Sequence, residues 1–127
     1  MILDSSVFIA AANKSDENFK LANELLLMAE RASAKTTDHV LEEVVTYLCK
    51  KAGSDIAYKT GIGILGSFEL VYFSEDNLRE ALELVKKYRR LSLCDALSVV
   101  AASEMRDKAI CSFDSDFDFV KGIKRVF

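Results

Sequence analysis

Apolar residues follow two rhythms along the chain: short continuous runs, and longer stretches in which they return every three or four positions. Residues 1–4 (MILD) are the first short run and predict a buried strand that ends on an aspartate; SSVFIAAAN then opens a helix with a serine near its N-cap. Between residues 17 and 32, Phe19, Ala22, Leu25, Leu26, Ala29 and Ala32 share one helical face. A strand over 34–37 leads to Thr37 or Asp38 as the cap of the next helix. Its stripe is Val40, Leu41, Val44, Val45, Leu48, Cys49 and Ala52, and Gly53 stops it. Residues 55–66 read as a further helix, and FELVYF (68–73) as a strand. Ser74 caps a helix carrying Leu78, Ala81, Leu82, Val85 and Tyr88, and another spans 93–106 with Leu93, Ala96, Leu97, Val100, Ala101 and Met105. KAICSF (108–113) and IKRVF (123–127) read as the last two strands.

Short apolar strands that alternate with helices predict an α/β fold with a parallel sheet, because parallel strands need crossovers and the crossovers cover both faces. The length predicts one domain over residues 1–127, large enough to bury about two thirds of its unfolded surface. Such sheets place their sites beyond the carboxyl ends of the strands. Asp4 ends the first strand, and Asp114 and Asp116 follow the fourth, so acids distant in sequence are expected to face one crevice.

The acids also pose a problem of charge. In SFDSDFDF (112–119), Asp114, Asp116 and Asp118 recur at every second position, and on a regular strand they would share one face. Two partly buried carboxylates about 4 Å apart repel by on the order of 4 kcal/mol, so a proton, a basic side chain or a metal must offset them. Phe113, Phe117 and Phe119 are expected to anchor this segment to the core. Glu42 and Glu43 lie in the second turn of a helix, off its apolar stripe, and periodicity does not choose between them. Asp4 and Asp95 sit in strongly apolar surroundings (MILDSSVFIA and LSLCDALSVVAA), where an unpartnered carboxylate is costly. Each is open to a plainer role as a helix cap. Taken together, the set predicts a cage of hard oxygen ligands suited to Mg²⁺ or Mn²⁺.

Other chemistries fit less well. GIGILG (61–66) matches a dinucleotide fingerprint by letter, but a helical stretch precedes it and a strand follows, the reverse of what phosphate binding needs. A calcium loop counted from Asp114 would put Phe119 at its glycine position and Arg125 at its glutamate position. His39, the only histidine, is expected to be exposed, and nothing places a serine or cysteine nucleophile beside it. Cys49, Cys94 and Cys111 lie in apolar stretches without paired spacing and are expected to be buried reduced thiols.

The net charge of −3 argues against a nucleic-acid partner only on the surface. If five of the 20 acidic residues held a cation, the remaining balance would turn slightly basic. Lys86, Lys87, Arg89 and Arg90, and Lys121, Lys124 and Arg125, form local basic runs that either meet phosphates or serve as solvated faces. The opening segment has no basic leader and its apolar run is broken by Asp4, so no membrane span and a cytoplasmic location are expected.

Four segments in register, MILDSSVFIA, TTDHVLEEVVTYL, LSLCDALSVVAA and AICSFDSDFD, resemble the PIN domain family, in particular its VapC-type toxin ribonucleases. The resemblance implies a three-layer α/β/α sandwich with a central parallel sheet. It also implies Asp4, Glu43, Asp95 and Asp114 as the catalytic, metal-binding acids, with Asp116 as an auxiliary ligand. Ser6 and Ser112 become supports for the carboxylates. The activity implied is Mg²⁺- or Mn²⁺-dependent endoribonucleolytic hydrolysis of RNA that leaves a 5′-phosphate, with a cognate antitoxin and a homodimer as assembly. One rival is another Mg²⁺-dependent phosphoryl hydrolase such as a HAD-like phosphatase, disfavoured because Ser6 stands where that chemistry needs a second aspartate. The other is a PIN-like module that binds RNA or protein without cleaving.

Overall fold

The computed structural model describes residues 1–127. Five short strands, β1 (Ile2–Leu3), β2 (Lys35–Thr37), β3 (Glu69–Val71), β4 (Ala109–Cys111) and β5 (Lys124–Val126), form one sheet in the order β3-β2-β1-β4-β5, with every pair parallel. Six helices link and cover them: α1 (Ser5–Ala12), α2 (Phe19–Arg31), α3 (Asp38–Lys51), α4 (Ser54–Ser67), α5 (Glu75–Lys87) and α6 (Leu93–Ser103). The layers follow from the register of the central pair. Ile2 aligns with Ile110 and Leu3 with Cys111. Side chains alternate across a strand, so each aligned pair serves one face. Leu3 and Cys111 join Val7, Ala22, Val44 and Ile64 from α1 to α4, while Ile2 and Ile110 join Val99 of α6 and Phe117. This is the three-layer α/β/α sandwich expected.

Local chemistry sets the element ends. Thr37, rather than Asp38, caps α3 by accepting from Val40 N at 3.0 Å. Ser74 and Asn77 form a capping box on α5, and Ser92 and Asp95 form another on α6. Gly53 ends α3 and opens α4 at φ +94°, a conformation that favours glycine. GIGILG lies inside α4. There a Cβ on Gly61 would meet Val45 Cγ2 at 3.1 Å, so the glycine serves close packing of α4 on α3.

Several local expectations need correction. The strand read over 68–73 is trimmed to 69–71, because Phe68 ends α4 and Tyr72 is exposed. Cys49 is exposed and Cys94 half-buried; of the three thiols only Cys111 is buried. On α3 the buried line is Val40, Val44 and Leu48, and Cys49 lies a further 100° or so around the helix. His39 is half-buried, bonded through Nδ1 to Asp38 at 2.9 Å and set edge-on to Phe73.

Candidate active site

Because all five strands run the same way, the residues after β1 and β4 emerge side by side. Asp4 N donates to Cys111 O at 3.0 Å, extending the ladder by one bond before the two chains part. Asp4 then caps α1, and its side chain is 2% exposed. Oδ2 accepts from Ser6 Oγ at 2.7 Å, Ser112 Oγ at 2.7 Å and Ser6 N at 3.3 Å. Both hydroxyl oxygens in turn accept backbone N–H groups, Ser6 from Phe113 at 3.1 Å and Ser112 from Asp114 at 2.9 Å. The two hydroxyl oxygens also lie 3.2 Å from each other, so Ser6, Ser112 and Asp4 Oδ2 form one hydrogen-bonded cluster. The other oxygen, Oδ1, is buried without any hydrogen-bond partner. Burial is the main influence on this carboxyl and raises its pKa despite the bonds to Oδ2.

Asp95 and Glu43 approach from α6 and α3. The cap of α6 is Ser92, not Asp95; Asp95 stands three residues on, and its Oδ2 accepts from Ser92 N at 2.8 Å as the other half of the capping box. Burial pushes its pKa up to about 6, with the charges of Asp4 and Glu43 adding to the rise. Asp95 therefore serves the capping box and the acidic group at once. Glu43 Oε2 accepts from Cys94 Sγ at 3.5 Å, which ties α3 to α6. Burial raises the Cys94 thiol pKa, and the Glu43 carboxylate beside it raises it further, so the thiol keeps its proton. The two adjacent glutamates part company. Glu43 lines a cleft of about 350 Å³ with Ser6, Tyr47 and Phe113, while Glu42 faces a groove between α3 and α4 with Tyr58 and Leu65.

Asp114, Asp116 and Asp118 diverge. The segment Ser115–Phe119 is a 3₁₀ helix, not a strand, and at three residues per turn every second side chain points a different way. Asp114 caps this helix through Oδ1, which accepts from Asp116 N at 2.8 Å, and it reaches the Asp4 group only through Ser112. Asp116 pairs with Arg90 at 3.3 Å. Asp118 is held by two bonds from Arg125, at 2.7 and 2.9 Å, which keep its carboxyl below the usual range. The phenylalanines divide likewise: Phe117 is fully buried and Phe113 half-buried, but Phe119 is 59% exposed and anchors nothing.

As placed, no three of these side chains converge on one chelating point. The donor set still suits a divalent cation. Asp4 Oδ1 is buried without a partner, and the charges of Asp4 and Glu43 oppose the ionisation of Asp95, so the group is costly until a cation offsets it.

The PIN domain family model matches residues 1–123. The chain belongs to the PIN domain family. Among solved structures, this PIN domain is similar to VapC20 of Mycobacterium tuberculosis, described as a toxin that cleaves the sarcin-ricin loop. The TM-score is 0.82, with 24% identity over 92% of each chain. It is also similar to a chain of VapBC2 from Rickettsia felis, solved bound to a DNA fragment from its promoter, with a TM-score of 0.72 and 15% identity over 98% of this chain and 96% of that one. At these identities the likeness is one of fold. No curated protein sequence gives a significant match.

Two features of this PIN domain were not legible beforehand. The Cys94–Glu43 contact joins residues 51 positions apart, and the Arg90–Asp116 pair joins residues 26 apart. The one available hint was that Cys94 precedes Asp95 and Arg90 ends a basic run.

Proposed function

We propose that this PIN domain is a metal-dependent endoribonuclease acting as the toxin of a toxin-antitoxin pair. The observation that carries the proposal is Asp4: one oxygen is held by three donors and the other is buried, unpartnered and beside Asp95. Asp4, Glu43, Asp95 and Asp114 would hold Mg²⁺ or Mn²⁺, with Asp116 as an auxiliary ligand. When bound, the cation supplies charge neutralisation of the phosphodiester and an acidified water.

The chain's own residues prepare for this. Ser6 and Ser112 fix the rotation of Asp4 by saturating Oδ2, which leaves Oδ1 as the available donor atom. Asp95 keeps its cap bond to Ser92 N, so its orientation does not depend on the cation. Cys94 holds Glu43 toward α6. Arg90 restrains Asp116 at the edge of the group. No helix is long and apolar enough to cross a membrane, which fits an RNA substrate met in the cytoplasm. A homodimer and a cognate antitoxin belong to the same proposal.

The test is digestion of mixed structured and single-stranded RNAs with Mg²⁺, with Mn²⁺ and with EDTA, using wild type, Asp4→Asn and Asp95→Asn. Wild type should cleave only with metal and leave 5′-phosphates, and both variants should be inactive. Undiminished cleavage by either variant overturns the assignment. Wild type that binds RNA without cutting it establishes the binding module instead. Expression without an antitoxin should arrest growth; harmless expression of a chain that cleaves RNA would separate the nuclease from the toxin. A monomer by light scattering at high concentration rejects the dimer.

A further inference from the structure

Two stretches distant in sequence meet beside Asp116. Residues 86–90 (KKYRR) run from the last turn of α5 into the connection to α6, and the 3₁₀ helix with the turn after it carries Asp116, Phe119 and Lys121. The Arg90 guanidinium pairs with Asp116 and lies over the Phe119 ring at 4.7 Å from its centre. Tyr88 Oη accepts from Lys121 N at 3.3 Å, and Lys87 Nζ sits 5.2 Å from the Tyr88 ring centre. Lys86 and Lys87 share their side of α5 with Glu80 and Glu83. Arg89, Arg90 and Lys121 are different, since Asp116 is the single acid paired with any of them and Asp118 is already taken by Arg125.

Phe119 makes little sense as a core residue. Its neighbours Phe117 and Val120 are buried, whereas its own ring is largely in water with a cation over one face. An exposed aromatic ring flanked by basic side chains is the arrangement that holds single-stranded nucleic acid, by stacking a base and meeting the adjoining phosphates. An acidic peptide would need the cations but not the ring. The pair that occupies Arg90 in the free protein is exposed, and exposed pairs contribute little, so the guanidinium is readily given up to a phosphate.

We infer that Phe119 and Arg90 form a platform for single-stranded RNA, on which Phe119 stacks one base and Arg90 moves from Asp116 to the neighbouring phosphate. The strand is thereby directed toward the carboxylates, because Asp116 leads through Asp114 and Ser112 to Asp4. The inference deepens the ribonuclease reading and rests on it for the direction of the strand.

The test measures binding apart from cleavage, by fluorescence anisotropy of a labelled oligouridine of about twelve nucleotides in EDTA over a range of salt. Phe119→Ala should weaken binding about 5- to 150-fold with an unchanged salt slope, the effect of one lost stack. Arg90→Ala should lower the slope of log K against log salt by about 0.7, the effect of one lost phosphate contact on a single strand. The chain has no tryptophan, so Phe119→Trp supplies a sole indole whose emission should be quenched by the RNA. Arg79→Ala, on an exposed i,i+4 pair of α5, is the control and should bind as wild type. Both platform residues are exposed, so circular dichroism and melting should be unchanged.

Wild-type affinity in Phe119→Ala and Arg90→Ala, in a protein that does cleave RNA, removes the platform and leaves the nuclease. Lost affinity in these variants of a protein that cleaves nothing removes the nuclease and leaves the platform. Wild type that fails to bind the oligouridine, or binds polyglutamate equally well, overturns the RNA assignment.

Discussion

Asp95→Asn should make the metal-free protein more stable at neutral pH while abolishing its activity. The carboxyl has a pKa of about 6 in the folded chain against 3.8 ordinarily, chiefly through burial. At about 1.4 kcal/mol per pH unit, that rise corresponds to roughly 3 kcal/mol of disfavoured ionisation. The group is only partly enclosed, and solvent screening reduces the figure to about 1–2 kcal/mol. Below 3.8 the carboxyl is protonated in both states and costs nothing. Between 3.8 and about 6 the folded chain binds the extra proton, so stability falls as pH rises, and above about 6 the full cost is present. Asparagine removes this charge yet keeps an oxygen to accept from Ser92 N. Urea unfolding in EDTA should therefore show no difference between the proteins near the acidic end, and a gain of about 1–2 kcal/mol for the variant near pH 8. With Mn²⁺ the order should reverse, because ligand at about 100 times its Kd adds about 2.7 kcal/mol to a chain that binds it. A variant less stable than wild type in EDTA near pH 8, or a difference that does not vary with pH, would refute this account of Asp95.

Other substitutions test neighbouring parts of the site. Ser112→Ala removes a donor to Asp4 Oδ2 and the acceptor for Asp114 N, and should cost about 1–3 kcal/mol by thermal melting, with a larger loss of cleavage rate than of RNA affinity. Asparagine in turn at Asp114, Asp116 and Asp118 should give a graded series in a gel-based cleavage assay: loss, a partial defect relieved by extra Mn²⁺, and near wild-type activity; a dead Asp118 variant beside an active Asp114 variant would displace the proposed site. Phe117→Ala should destabilise by about 3–5 kcal/mol in urea unfolding, because the ring is fully buried between the sheet and α6.

Much of the fold was legible because its signals are local. Thr37, Ser74 and Ser92 cap helices through atoms three residues away, and the apolar stripes of α3 and α6 repeat within a single element. Short apolar strands between such helices leave few arrangements other than a parallel sheet, and four acidic segments in register pointed to the PIN family. The site depends on longer reach. Periodicity treats Glu42 and Glu43 alike, and only the packing of α4 against α3 sends them to different clefts. A regular strand over SFDSDFDF would put its aspartates on one face, but the segment is a 3₁₀ helix with Phe117 buried, and the three aspartates separate. Asp4 could be read as a cap or as a ligand from its position alone. Its unpartnered oxygen appears only when β4 brings Ser112 alongside from 108 residues away, because hydrogen-bond saturation belongs to an assembled environment and leaves no mark on the local pattern of residues.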